Sequence, residues 1–431
     1  MTQQVCAACD RRYGESDPRV RCDCAGGGLL DLRHPPPAAS GPALRGLWDS
    51  RLAERAGPLA SGVWRFREMV LPAAGDEVVT HPEGNTPLLR RPGVGAWAGA
   101  SELLLKHEGH NPTGSFKDRG MTVGVTQARR IRAAAVACAS TGNTGASLAA
   151  YAALAGLPAL VVLPKDAVAL GKLTQVIAYG ARPLLVRGDF DACLRLVVEA
   201  SARLGVYLLN SINPFRLEGQ KTIVFELLQQ LAWDPPDWIC VPAGNLGNTA
   251  AFGKALVEAR DLGLIARMPR LAAIQAAGAA PFARSFQDGF ARRHRVEPET
   301  LATAIRIGNP ASYDRAVRAI RDTDGVVATV TDDEMLEAKA VVDASGAGCE
   351  PASAASVAGV RRLVRDGVIG QGQRVVAVLT GHLLKDPDVV WRYHLATDPP
   401  PRHANRPVEI EPRVAEVERV LGDTRARLSA E

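Results

Sequence analysis

The chain has 431 residues, 47% hydrophobic and 23% charged, with 51 basic and 46 acidic side chains and a formal charge of +5. That length exceeds one ordinary core and calls for two lobes with appendages, while the composition is that of a globular protein rather than a disordered one. A charge this nearly balanced gives no reason to invoke nucleic acid, no apolar run reaches the roughly 18 residues of a membrane span, and the start MTQQVCAACDRR has no apolar leader. A cytoplasmic protein is expected.

Residues 1–33 read as a separate small module: Cys6-x-x-Cys9, a polar stretch, Cys22-x-Cys24, then three glycines. In a reducing compartment these four cysteines are metal ligands rather than disulfide partners. Four thiolates suit a structural zinc, although Cys-x-Cys is a poorer half-site than Cys-x-x-Cys, and a module without metal is the alternative. The other four cysteines, Cys138, Cys193, Cys240 and Cys349, sit in apolar surroundings and read as small core residues. Prolines and small residues make 34–63 a linker and N-terminal arm.

From Leu103 onward short apolar runs alternate with helical stretches. Strands are predicted at 103–106, 134–139, 159–163, 183–186, 238–242 and 375–379. Helices are predicted at 118–132, 145–154 and 173–180. This alternation implies mostly parallel sheets flanked by helices, with ligands beyond the carboxyl ends of strands. The polar motifs fall at those ends. HEGHNPTGSFKDRG (107–120) places Lys117 at a helix start, where the dipole disfavours its charge and Schiff-base chemistry becomes accessible. On physical grounds alone an ordinary surface lysine on a first turn is the better reading. ASTGNTGAS (139–147) offers Ser140, Thr141, Asn143 and Thr144 between a strand and a helix, more than a single N-cap needs. PAGNLGN (242–248) is a glycine-rich loop that could close around a phosphate, without the Lys-Ser/Thr of a Walker loop. Thr380 ends a strand in VLTGHLLKDP, and NSINPFRLEGQKT (210–222) gathers Asn210, Ser211, Arg216 and Lys221.

Together, WRFRE, EGNTPLL, NPTGSFKDRGM, ASTGNTG, NSINPFRLEGQKT, GNLGN, ATAIRIGNP, EPASAAS and LTGH resemble the threonine synthases, fold-type-II pyridoxal-phosphate enzymes, over about Trp64 to Asp388. The cysteine module recurs in some long members. The resemblance implies an α/β fold of two lobes, each with a mostly parallel sheet flanked by helices: a large cofactor-binding domain of 64–124 and 216–392, a smaller domain of 125–215, and a C-terminal extension of 393–431. It also implies roles. Lys117 would hold pyridoxal 5'-phosphate as a Schiff base and shuttle protons. Asn143 would meet the ring hydroxyl, and Thr380 the pyridine nitrogen. Gly244, Asn245, Leu246, Gly247 and Asn248 would cradle the cofactor phosphate. Ser140, Thr141 and Thr144 would take the substrate carboxylate; Asn210, Ser211 and Arg216 would take the phosphate of O-phospho-L-homoserine. The product would be L-threonine, made by a homodimer with no nucleic-acid or membrane partner. Gly145 stands where relatives often carry Ser, and DASGAGC precedes Glu350 in place of a bulkier strand. Competing readings are a threonine dehydratase-like or cysteate synthase-like enzyme, or a non-catalytic cofactor-binding protein. Against a plain dehydratase stands the Arg216 segment, since such an enzyme has no substrate phosphate to hold.

Overall fold

The computed structural model describes residues 1–430 except 141, 166–169, 189 and 397. Its strands are β1 (Gln3–Cys6), β2 (Arg12–Gly14), β3 (Leu30–Arg33), β4 (Leu88–Arg90), β5 (Glu102–His107), β6 (Ala135–Ala139), β7 (Ala159–Pro164), β8 (Arg182–Val186), β9 (Val206–Leu208), β10 (Trp238–Pro242), β11 (Arg270–Ala276), β12 (Val326–Val330) and β13 (Arg374–Leu379). Three sheets result. The first module is a three-stranded antiparallel sheet, β2-β1-β3. A six-stranded sheet runs β12-β11-β10-β13-β5-β4, all parallel except the β4 edge, and a four-stranded parallel sheet runs β8-β7-β6-β9. Strands β10 and β13 are buried on both faces, as their unbroken apolar runs require.

The chain divides into Met1–Asp386, which holds all three sheets, and Pro387–Glu431, which contains the helices Pro387–Trp391 and Val414–Ala430. No helix among the described residues is long and apolar enough to cross a membrane.

The predicted elements are present with shifted ends; β1, β2, β3, β4, β9, β11 and β12 lie outside the predicted strands. Within 34–63, read as a linker and N-terminal arm, lies the helix Gly41–Ser50, with Pro42 in its first turn and Leu44 and Trp48 fully buried. Pro at this position costs no hydrogen bond, and the i, i+4 spacing of Leu44 and Trp48 gives the short helix one apolar stripe.

Two helices cross tightly at the centre. Helix Lys117–Arg130 starts after β5, and helix Pro214–Gln230 follows β9. They meet through Gly120, Gly124 and Gly219: a Cβ on Gly219 would lie 1.7 Å from the Arg119 carbonyl oxygen, and one on Gly120 2.8 Å from that of Arg216. This contact, available only without side chains, brings Arg216 beside the first turn that carries Lys117.

Gly219→Ala should therefore force the two helices apart and destabilise the fold by about 1–3 kcal/mol. Urea denaturation monitored by circular dichroism checks this; an unchanged midpoint would show that the crossing yields without cost.

Candidate active site

Lys117 opens its helix on the side of the polar strand ends, partly open to the cleft, with its ammonium nitrogen 4.3 Å from the centre of the Phe116 ring. Burial, and then the neighbouring Arg216 charge, pull its pKa down to about 7 against a weaker opposing pull from Glu350. The amine is thus available as a nucleophile near neutrality. Its loop is pinned by the next residue. Asp118, buried, accepts from the Thr113 amide at 2.7 Å, the Thr113 hydroxyl at 2.6 Å and the Ser147 hydroxyl at 2.6 Å. Burial holds the Asp118 carboxyl up at about 6. The loop is also stitched to the end of β13: Phe116 N donates to Thr380 O at 3.0 Å, and His382 N to Gly114 O at 2.9 Å.

Arg119 anchors the turn from below. Its guanidinium meets Glu108 at 2.7 and 2.9 Å and Glu226 at 2.8 and 3.2 Å. Glu226 also accepts from Lys106 at 2.6 Å and from the amides of Asn85 and Thr86 at 2.8 and 2.9 Å. Every one of these charged groups is fully enclosed.

The structure brings Asn143 and Thr380 together through a residue to which the motif reading gave no role. Glu350, buried, accepts from Asn143 Nδ2 at 2.9 Å and from the Thr380 hydroxyl at 3.1 Å; the Ser353 hydroxyl lies 3.0 Å from that of Thr380. Burial raises the Glu350 carboxyl above its ordinary range, opposed by these two hydrogen bonds. In sequence, Glu350-Pro351 reads only as the start of helix Pro351–Arg365.

Ser140 follows β6, and its hydroxyl accepts from the amides of Gly142 and Gly145 at 3.2 Å each, folding the loop before helix Asn143–Ala155. Thr144 lies in that helix's first turn, and Thr141 falls outside the described residues. Gly145 is tightly enclosed: a Cβ there would meet Val161 at 3.0 Å and Val176 at 3.4 Å, so a serine would crowd this wall.

In the glycine loop, Leu246 takes a left-handed conformation (φ 63°) and launches helix Gly247–Asp261. A Cβ on Gly244 would meet the backbone of Ile305 at 2.8 Å. Gly247 stands in the first turn, and Asn248 Oδ1 accepts from Gln220 at 2.7 Å. Asn245 faces away, donating to the Ser211 hydroxyl at 2.7 Å and accepting from Ala311 N at 2.6 Å. The Thr249 hydroxyl, also in the first turn, is buried with no hydrogen-bond partner. Nothing in the motif pointed to Thr249.

Asn210 uses both ends of its amide on the backbone of Ala139, at 2.9 and 3.0 Å, and so clamps the end of β6. Arg216 is fully buried. One guanidinium nitrogen donates to Leu209 O at 3.1 Å, while Nε and Nη2 have no partner. Burial holds its pKa down, to about 10. An enclosed cation with two idle donors is costly, and an anion repays it. Lys221 instead pairs with Glu218 at 2.5 Å and Glu258 at 2.8 Å.

These residues fit a phosphorylated, aldehyde-bearing cofactor. A helix N-terminus with an unsatisfied hydroxyl suits its phosphate, an amine of lowered pKa suits its carbonyl, and the two unpartnered Arg216 donors suit a second anion. In the N-terminal module, the Sγ atoms of Cys6, Cys9, Cys22 and Cys24 all lie within 4.8 Å of one another.

Residues 79–381 match the family described as pyridoxal-phosphate dependent enzyme. The threonine synthase of Methanocaldococcus jannaschii is 42% identical over 397 residues, spanning 90% of this chain and 94% of that protein. The threonine synthase of Methanosarcina acetivorans is 50% identical over 330 residues, 76% of this chain and 81% of that one. The crystal structure of threonine synthase from Escherichia coli, 20% identical, superposes with a TM-score of 0.69 over 96% of this chain and 94% of its own, a likeness of fold. Parallel sheets, a lysine of lowered pKa at a helix start and this extent of identity agree: the chain belongs to the threonine synthase family of fold-type-II pyridoxal-phosphate dependent enzymes.

Proposed function

We propose that this enzyme converts O-phospho-L-homoserine and water into L-threonine and inorganic phosphate. The observation that carries this reading is the second anion site. Helix Gly247–Asp261 already offers a phosphate seat, and Arg216 adds a buried guanidinium with two free donors whose charge is felt at Lys117. A dehydratase of serine or threonine has no use for it.

In this reading Lys117, Asn143, Gly244, Leu246, Gly247, Asn248, Thr249 and Thr380 hold pyridoxal 5'-phosphate, which when bound supplies the sink for electrons released at the substrate's α-carbon. Lys117, its pKa lowered to about 7, takes and returns protons at the α- and β-carbons. Asp118 keeps its nitrogen in register by holding Thr113 and Ser147. The first turn of helix Asn143–Ala155, with Ser140, Thr141 and Thr144, receives the substrate carboxylate. Arg216 and Ser211, with Asn245 beside Ser211, hold the substrate phosphate while its carbon–oxygen bond breaks. Asn210 acts through the end of β6 that it clamps. Because the Arg216 guanidinium is enclosed, segment 210–216 must open to admit substrate, and closure excludes bulk water. Glu350 sits between Asn143 and Thr380, the two groups that would meet the ring hydroxyl and the pyridine nitrogen.

The reading extends to the N-terminal module, taken as a structural zinc site, and to a cytoplasmic homodimer; the eight cysteines, none in a disulfide, suit a reducing compartment.

Arg216→Leu should cut kcat/KM for O-phospho-L-homoserine by roughly ten- to a hundredfold, from the loss of a charge-assisted fork of about 1.5–3 kcal/mol. Cofactor affinity and slow turnover of unphosphorylated serine should hold. Equal losses on both substrates would make Arg216 structural. A second expectation concerns proton state. Capture of cofactor by the cofactor-free protein should speed up as pH rises through about 7, with borohydride then fixing the pyridoxyl group on Lys117. In Arg216→Leu the same profile should move to higher pH, because removing a neighbouring cation favours the protonated amine. A profile that rises only near the ordinary lysine range would contradict the buried-amine account.

A further inference from the structure

The cysteine module is built for a metal and is bolted to both phosphate-binding helices. Cys6 Sγ lies 3.9 Å from Cys24 Sγ, and Cys9 Sγ 3.7 Å from Cys22 Sγ. Four thiolates around zinc at about 2.3 Å stand about 3.8 Å apart, whereas a disulfide brings sulfurs to about 2.05 Å. Backbone amides point at the sulfurs as well: Ala8 N to Cys6 Sγ and Cys24 N to Cys22 Sγ, each 3.4 Å. The backbone supplies the turn that Cys-x-Cys alone does not, with Cys22 N bonded to Gly28 O and Gly27 N to Cys24 O, both 2.8 Å. The module's own apolar cluster is only Cys6, Cys22 and Leu30, flanked by Tyr13 and Cys24. A unit this small rarely holds its shape without a metal or crosslink.

Strand β3 carries that shape inward. Cys6, a ligand at the end of β1, pairs in register with Leu30 of β3. The Leu30 carbonyl accepts from Arg315, and Asp31 pairs with Arg315 at 2.7 Å. The Leu32 carbonyl accepts from Lys254 of helix Gly247–Asp261 at 2.8 Å. Just past the strand, His34 Nε2 lies 2.9 Å from Glu218 of helix Pro214–Gln230, two residues beyond Arg216. Glu218 and Lys254 pair with each other, so the strand grips both helices at one buried charge cluster.

Building on the zinc reading of the module and on the anion roles given to the two helices, we infer that metal bound by Cys6, Cys9, Cys22 and Cys24 sets the phosphate affinity of the active site, through β3 and its grip on helices Pro214–Gln230 and Gly247–Asp261. The ligand is one soft divalent cation, zinc by its four-sulfur geometry. Metal loss frees β1 from the cluster, slackens β3, and loosens the helix starts that present Arg216 and the glycine loop.

The test uses the full-length holoenzyme. Zinc is stripped with a thiol-specific mercurial, the mercurial is removed with excess thiol, and zinc is added back. Metal content is measured alongside affinity for inorganic phosphate by calorimetry. The untreated protein should hold about one zinc per chain. Stripping should weaken phosphate binding by about fivefold or more, the low end of ordinary site-to-site coupling, and zinc should restore it. Cys9→Ser, at the exposed ligand, should behave like the stripped protein. Asp31→Asn should keep its zinc and still bind phosphate more weakly. Absence of zinc from the untreated protein would overturn the site. Phosphate affinity that ignores zinc would overturn the coupling. Neither readout involves turnover, so a chain that made another product would still show the coupling, and one that made threonine could still lack it.

Discussion

Arg119 is the charge on which the active site rests. It stands two residues beyond Lys117, sealed from solvent, with Glu108 on one side and Glu226 on the other. Glu108 directly follows β5 of the six-stranded sheet, and Glu226 lies inside helix Pro214–Gln230, so a single guanidinium ties the sheet end, the lysine helix and the Arg216 helix into one frame. Removing one member of such a group leaves an unpaired buried charge, at a cost of about 3–5 kcal/mol. The glycine crossing at Gly120 and Gly219 depends on this frame, because backbones that close must be held at a fixed register.

From that frame follows the placement of three kinds of chemistry in one cleft. Lys117 sits where desolvation and the Arg216 charge lower its pKa to about 7, Arg216 where burial leaves its donors idle, and Gly247–Asp261 where a helix start meets an unsatisfied hydroxyl. Each is unfavourable for the protein alone, and each becomes favourable with a partner of the right charge. The cleft is therefore a set of paired deficits, one for a carbonyl, one for the cofactor phosphate and one for a second anion.

Much of this was legible from sequence because loops between strands and helices carry their chemistry in consecutive residues. Lys117, Asn143, Thr380 and the GNLGN loop lie in contiguous motifs that follow predicted strands; the structure divides those strands between two sheets, with Asn143 after β6 of the four-stranded one and the others after strands of the six-stranded one. The structure adds what contiguity hides. Lys106, Glu108, Arg119 and Glu226 come from three separate stretches, and each alone reads as an exposed charge on an apolar element. Glu350 resembles a helix cap until its carboxylate is seen between Asn143 and Thr380. Thr249 looks like any threonine in a helix until its hydroxyl is found enclosed. The helix Gly41–Ser50 was hidden by the prolines before it, whose effect stops at its first turn.

The account stands or falls on which bond breaks. Purified holoenzyme incubated with O-phospho-L-homoserine in heavy-oxygen water should release phosphate and L-threonine in equal amounts, with the label in the threonine hydroxyl and none in the phosphate. Label in the phosphate, or phosphate released without threonine, would mean that the second anion site serves a different reaction.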